Sequence, residues 1–165
     1  MEITMKQFVL FTAITLTGLS AGLFYAWQVS VIPGTKKVVD FTYLETMQSI
    51  NRAILNPAFF LIFFGSLVML CASTVQHYHA GTKFWILFIA TLVYAGGTFG
   101  VTVFGNVPLN DALDAIEISK LGNNEILQMR QKYEVDWNRL HLIRTVFSVL
   151  SFLLSLAAVW VQTEP

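Results

Sequence analysis

Trp137, His141 and Arg144 are separated by four and three residues. On a helix that spacing puts an indole, an imidazole and a guanidinium on one stripe, with Arg144 about one turn beyond His141. The run that follows, Leu140 to Val161, is apolar. An arginine entering such a run costs about 2.5 kcal/mol or more at the centre of a bilayer and less near its edge. It needs a carboxylate, backbone carbonyls, water or an anionic ligand, and Asp111 is a candidate partner. A guanidinium reaching out to the headgroups is the alternative. His141 has three roles open to it: a structural imidazole, a general base, or an axial haem ligand.

A second constellation is Asn106-Val107-Pro108-Leu109-Asn110-Asp111, which sets two amides, a carboxylate and a proline at the end of the apolar run Phe84 to Gly105. Proline lacks an N–H and leaves a carbonyl in the preceding turn without its usual partner, and asparagine can satisfy such groups. The stretch therefore predicts a helix break at the membrane edge, with Pro108 in the first turn of a new helix.

Four apolar runs must position these groups: about 8–32, 57–75, 84–105 and 140–161. Each is near the roughly 20 residues that span a hydrocarbon core as a helix. The chain of 165 residues is 55% hydrophobic and only 12% charged, about half the charge of a soluble domain. The expectation is an all-α integral membrane protein, a multi-pass four-helix bundle in one transmembrane domain, with short amphipathic helices at one end. The formal net charge is zero, so no long-range field recruits nucleic acid. The expected partners are the lipid bilayer and a hydrophobic small molecule, and the aromatic surface permits a homo-oligomer.

Along the chain, Gly18 and Gly22 in the first run, and Gly96 and Gly100 in the third, read as close-packing faces. Trp27 reads as an interfacial anchor, and Pro33-Gly34 as the stop of the first span. In Asp40 to Asn56, the positions Phe41, Leu44, Met47, Ile50 and Ile54 form an apolar stripe on a short helix, lying on the membrane surface or tucked against the bundle mouth. Asn56-Pro57 is an N-cap followed by a first-turn proline. Cys71 reads as a small buried side chain. His77 and His79, two apart, do not share a helix face and make a poor metal site. A helix from about Glu125 continues into the last span without a breaker.

With four spans, the link between the first two lies on the same side as the link between the last two. Asn51, Asn56, Asn106, Asn110, Asp111, Trp137, His141 and Arg144 therefore gather at one end. His141, Arg144 and Asp111 are the candidate catalytic groups. Asn51, Asn56, Asn106, Asn110, Trp137 and Tyr94 are the candidate substrate-binding groups, and His141 is a metal ligand only if haem is bound. The cofactor is none or haem. Basic residues are richer at this end, which places it in the cytoplasm by charge bias.

Taken together, Met47-Gln48-Ser49-Ile50-Asn51…Asn56-Pro57, Asn106-Val107-Pro108-Leu109-Asn110 and Trp137-Asn138…His141…Arg144 resemble the anthrone-oxygenase-like family of small four-span membrane proteins. The resemblance covers nearly the whole chain. It implies an oxidoreductase, since some fungal members are associated with oxidation of polycyclic anthrones to anthraquinones. It also implies site lining at Asn51, Asn56, Asn106, Pro108, Asn110, Trp137 and Arg144. The leading expectation is an oxygenase-like enzyme acting on an apolar or aromatic substrate. The rivals are a non-enzymatic binding protein for haem, quinone or lipid, and a structural subunit.

Overall fold

The computed structural model describes residues 3–161. It contains helices α1 (Met5–Thr35), α2 (Asp40–Ala53), α3 (Pro57–Gln76), α4 (Thr82–Asp114) and α5 (Asn123–Trp160), and a single 3₁₀ turn at Ile118–Lys120. No strand occurs among the described residues. Local signals set the ends. Thr4 and Gln7 form a reciprocal capping box on α1. Asn56 Oδ1 accepts from Phe59 N at 3.0 Å, with Pro57 in the first turn of α3. Glu125 folds back onto Gly122 N at 2.8 Å to start α5. Gly81, with φ +54°, makes the α3–α4 turn that a side chain would strain.

Helices α1, α3, α4 and α5 are each long and apolar enough to cross a membrane. Each packs on its sequence neighbour, and α5 closes the ring against α1. The outer surface is apolar: Phe11 and Leu19 on α1, Leu61 and Val68 on α3, and Leu142 and Leu153 on α5 are all exposed. The interior is polar in small pieces. Thr17, Ser20, Ser66, Ser148, Ser151 and Ser155 are buried to 1% or less. Lipid offers no hydrophobic drive to pull helices together, so close contact and interhelical hydrogen bonds do that work. Ser20 Oγ meets the Tyr94 hydroxyl at 3.1 Å, that hydroxyl also reaches Phe63 O, and Ser151 donates to Ala90 O.

The most tightly packed glycine is Gly97, where an added Cβ would stand 2.0 Å from the Phe147 ring. Gly22 and Gly96 have open space, Gly100 meets only its own helix, and Gly18 meets Phe152 at 3.0 Å. The expected Gly96/Gly100 face is thus corrected to Gly97, one position round the helix. Cys71 is exposed on the outer face, not buried.

Three helices overshoot the bilayer. Twenty residues of helix span about 30 Å, and α1, α4 and α5 have 31, 33 and 38. The surplus projects at one end, where α2 tucks between them. Tyr43, Leu44 and Met47 of α2 pack with Ile32, Leu113, Tyr133 and Trp137, and burial raises the Tyr43 hydroxyl pKa, with Glu134 adding to the rise. Two side chains cap helix ends there. Arg130 donates to Val38 O at 2.7 Å and Lys36 O at 3.2 Å beyond α1, pairs with Asp40 and Glu134, and lies over the Tyr43 ring. Gln48 Nε2 donates to Leu113 O and Ile116 O at the end of α4. These orphan carbonyls are the groups a helix leaves unpaired.

Neither proline interrupts its helix. Pro33 and Pro108 lie inside α1 and α4, each just beyond a stretch of π-helix: Trp27–Val31 and Thr102–Asn106. A proline ring collides with the carbonyl four residues back and cannot donate to it. Widening the preceding turn to i→i+5 bonding absorbs both problems. The break expected at Asn106-Pro108 and the stop expected at Pro33 are therefore π-turns in continuous helices.

Candidate functional site

The stripe on α5 meets the π-turn of α1 at the level where the bundle gives way to the α2 crown. Trp137 and His141 stack with their rings 5.0 Å apart and 5° from parallel. His141 is fully buried. Its Nδ1 accepts from Arg144 Nε at 3.1 Å and lies 3.0 Å from Arg144 Nη2. Its Nε2 lies 3.1 Å from Phe24 O and 3.3 Å from Thr145 Oγ1. Thr145 spends its own proton on His141 O at 2.7 Å, so its lone pair faces Nε2. Nδ1 faces donors and Nε2 faces acceptors, which fixes the imidazole as the Nε2–H tautomer.

Arg144 is buried, and its guanidinium carbon lies 4.7 Å from the Phe24 ring centroid and 5.1 Å from that of Trp137. Its Nη1 has only a long contact, 3.5 Å to Thr102 Oγ1. Among the described residues no carboxylate pairs with it. Asp111, its expected partner, is exposed. It lies on the face of α4 away from Asn110, so the carboxylate turns to solvent.

A cavity of about 70 Å³ opens beside this group, bounded by Trp27 and Phe24 on α1, Ile50 and Asn51 on α2, Phe59 on α3 and Asn110 on α4. Asn110 Oδ1 accepts from Trp137 Nε1 at 2.8 Å and from the Tyr133 hydroxyl at 3.0 Å, and that hydroxyl accepts from Asn51 Nδ2 at 3.0 Å. Three elements are thereby locked round one side of the cavity.

Of the expected site residues, the fold brings Asn51, Asn110, Trp137, His141 and Arg144 together. Asn106 is fully buried next to them and donates to Trp137 O at 3.3 Å, but its Oδ1 has no partner. Asn56 spends its amide on the α3 cap and Ala53 O. Tyr94 lies deep in the bundle, bonded to Ser20 and Phe63 O, and does not line the cavity. Trp27 is not a membrane-edge anchor: its ring centroid is 5.9 Å from that of Trp137, and its Nε1 is buried without a partner. Sequence reasoning missed Phe24, Trp27, Thr102 and Tyr133. Tyr133 was one turn from detection, because it extends the Trp137–His141–Arg144 stripe backward by four.

The arrangement does not fit axial haem ligation by His141. That needs a ring nitrogen facing open space, and both nitrogens are engaged within a fully buried ring. His77, with Nδ1 2.8 Å from Ser73 O, and exposed His79 are at the opposite end. No cluster of three metal-ligating side chains occurs among the described residues.

The family model for anthrone oxygenase matches residues 59–154. That stretch carries Thr102, Asn106, Asn110, Trp137, His141 and Arg144, whereas α1 and α2 precede it. No curated protein and no solved structure matches the chain.

Proposed function

The chain belongs to the anthrone oxygenase family, and from that premise we propose that it oxygenates an enolisable or phenolic polycyclic substrate held at the Arg144 cavity. The observation that supports this reading is a buried guanidinium with no carboxylate, framed by aromatic rings at the edge of the apolar bundle. A cation in that setting favours an oxyanion, and aromatic walls favour a flat apolar body behind it. The cavity is smaller than a ring system. It takes the oxygen-bearing edge of a substrate whose remainder displaces the exposed Leu55 and half-buried Phe59 at the mouth.

The chemistry balances with dioxygen as the oxidant. Loss of one proton from the substrate CH₂ gives an enolate whose oxygen lies against Arg144. The anion passes one electron to O₂, and the radical pair joins to form a C–O bond and a peroxide anion. That anion takes up a proton. Loss of water, which breaks the remaining C–H and the O–O bond, leaves a ketone. Arg144 stabilises the charge throughout, and Trp137 and Phe24 orient the rings. The residues Lys36, Lys37, Arg52, Lys120, Arg130, Lys132 and Arg139 lie at this end, and that charge bias supports a cytoplasmic orientation for it.

The test is aerobic incubation of the protein in lipid nanodiscs with anthrone, following oxygen uptake and anthraquinone absorbance. Arg144→Met should lower kcat/KM by about 10²–10³, the typical loss when an oxyanion donor is removed. Arg144→Lys should not restore it, because a point charge cannot replace the planar fork. Undiminished turnover in Arg144→Met would reject the reading.

A further inference from the structure

The cavity offers donors but no free base. His141 and Arg144 are the titratable side chains that line it. The lone pair of His141 is committed to Arg144. The segments of α1, α2 and α3 at the cavity contribute Phe24 and Trp27, Ile50 and Asn51, and Phe59, none of which exchanges a proton. On α4, Asn110 Oδ1 is filled twice and Asp111 faces solvent. The Tyr133 hydroxyl behind them is held between two amides. Of the other carboxylates of this end, Asp114 pairs with Arg52, Asp40 and Glu134 with Arg130, Glu117 with Lys120 and Asp136 with Arg139. Glu125 accepts from Gly122 N, and Glu45 is exposed on α2; none of them lines the cavity. Against this stand two donors short of acceptors. Arg144 Nη1 has nothing closer than 3.5 Å, and the indole Nε1 of Trp27 has no partner. A buried donor without an acceptor is costly, and both residues line the cavity.

We propose that the pocket takes its substrate as an oxyanion already formed in water, with Arg144 and Trp27 Nε1 as its two donors, and that His141 is a positioning residue for Arg144. This deepens the oxygenase reading and rests on it. The substrate class narrows to phenols and enolisable ketones acidic enough to ionise near the working pH. The substrate proton leaves to bulk water before binding, dioxygen remains the oxidant, and no side chain of the cavity takes that proton.

The experiment compares anthrone with a more acidic, nitro-substituted anthrone across pH, reading kcat/KM and quenching of tryptophan fluorescence on binding. Both midpoints should follow the acidity of the substrate, moving by about one pH unit per unit of its pKa. His141→Asn keeps an acceptor near the Nδ1 position and cannot act as a base, and its midpoints should stay where the wild type has them, whatever its rate. Trp27→Phe keeps the ring and removes the donor. It should weaken binding of either anthrone about ten-fold. A midpoint shared by both substrates and absent in His141→Asn would make His141 the base and overturn the proposal. Unchanged binding in Trp27→Phe would remove Trp27 from it. Inactive Arg144→Met with a shared midpoint defeats this inference alone, whereas active Arg144→Met defeats the oxygenase reading beneath it.

Discussion

A double-mutant cycle on His141 and Arg144 measures whether the pair exists and what it contributes. Nδ1 has one lone pair, so the contacts at 3.1 and 3.0 Å count as one forked, charge-assisted bond. Such bonds contribute about 1.5–3 kcal/mol. His141→Leu removes it, together with the bond to Phe24 O, worth about 1 kcal/mol, and the stack on Trp137, worth about 0.5–1.5 kcal/mol. It also leaves Arg144 with only its long Thr102 contact and the ring faces. A loss of about 3–5 kcal/mol follows. Arg144→Met removes the same bond, but it also relieves a buried cation whose burial costs about 2.5 kcal/mol or more at full membrane depth. Its net effect should be within about 1–2 kcal/mol of zero. The double variant should then be less damaged than the sum of the singles by about 2 kcal/mol. For a chain of this length that is about 4–8 °C in Tm, readable by thermal unfolding in one detergent. A coupling below about 0.5 kcal/mol would refute the pairing.

Two further outcomes follow from the packing. Gly97→Leu drives a side chain into the Phe147 ring and should cost about 1–3 kcal/mol, read as lowered Tm, with Phe147→Ala restoring most of it. Arg130→Met uncaps α1 and strands Asp40. It should cost about 2 kcal/mol and speed amide hydrogen exchange in α2, leaving exchange in α3 unchanged.

The bundle was legible because apolar runs of spanning length are a composition signal that survives every local detail. The site end was legible from connectivity: an even number of spans puts alternate links together. What escaped reading depended on rotation about a helix axis. The small-xxx-small spacing picks Gly96 and Gly100, yet it is Gly97 that faces Phe147. Trp27 suits a membrane edge by type, and only the packing of α1 on α5 turns it toward Trp137. Asp111 adjoins Asn110 in the chain, but a step of about 100° sends one to the cavity and the other to water. Tyr94 failed differently. Its hydroxyl needed a partner, and Ser20 with a backbone carbonyl supplied one inside the bundle.

The wide turns before Pro33 and Pro108 act as one-residue insertions, each offsetting the azimuth of everything beyond it. The lipid-facing length of α1 or α4 can thus obey the ring of four, while the projecting length presents a different side to α2. Shortening either wide turn by one residue should restore ordinary winding and swing the projecting tip by about 100°. The crown would then lose its fit while the bundle kept its own. An α4 shortened this way would carry Asn110 out of reach of Trp137 and Tyr133, so the spacing between Thr102 and Pro108 sets which side chain of α4 meets α5.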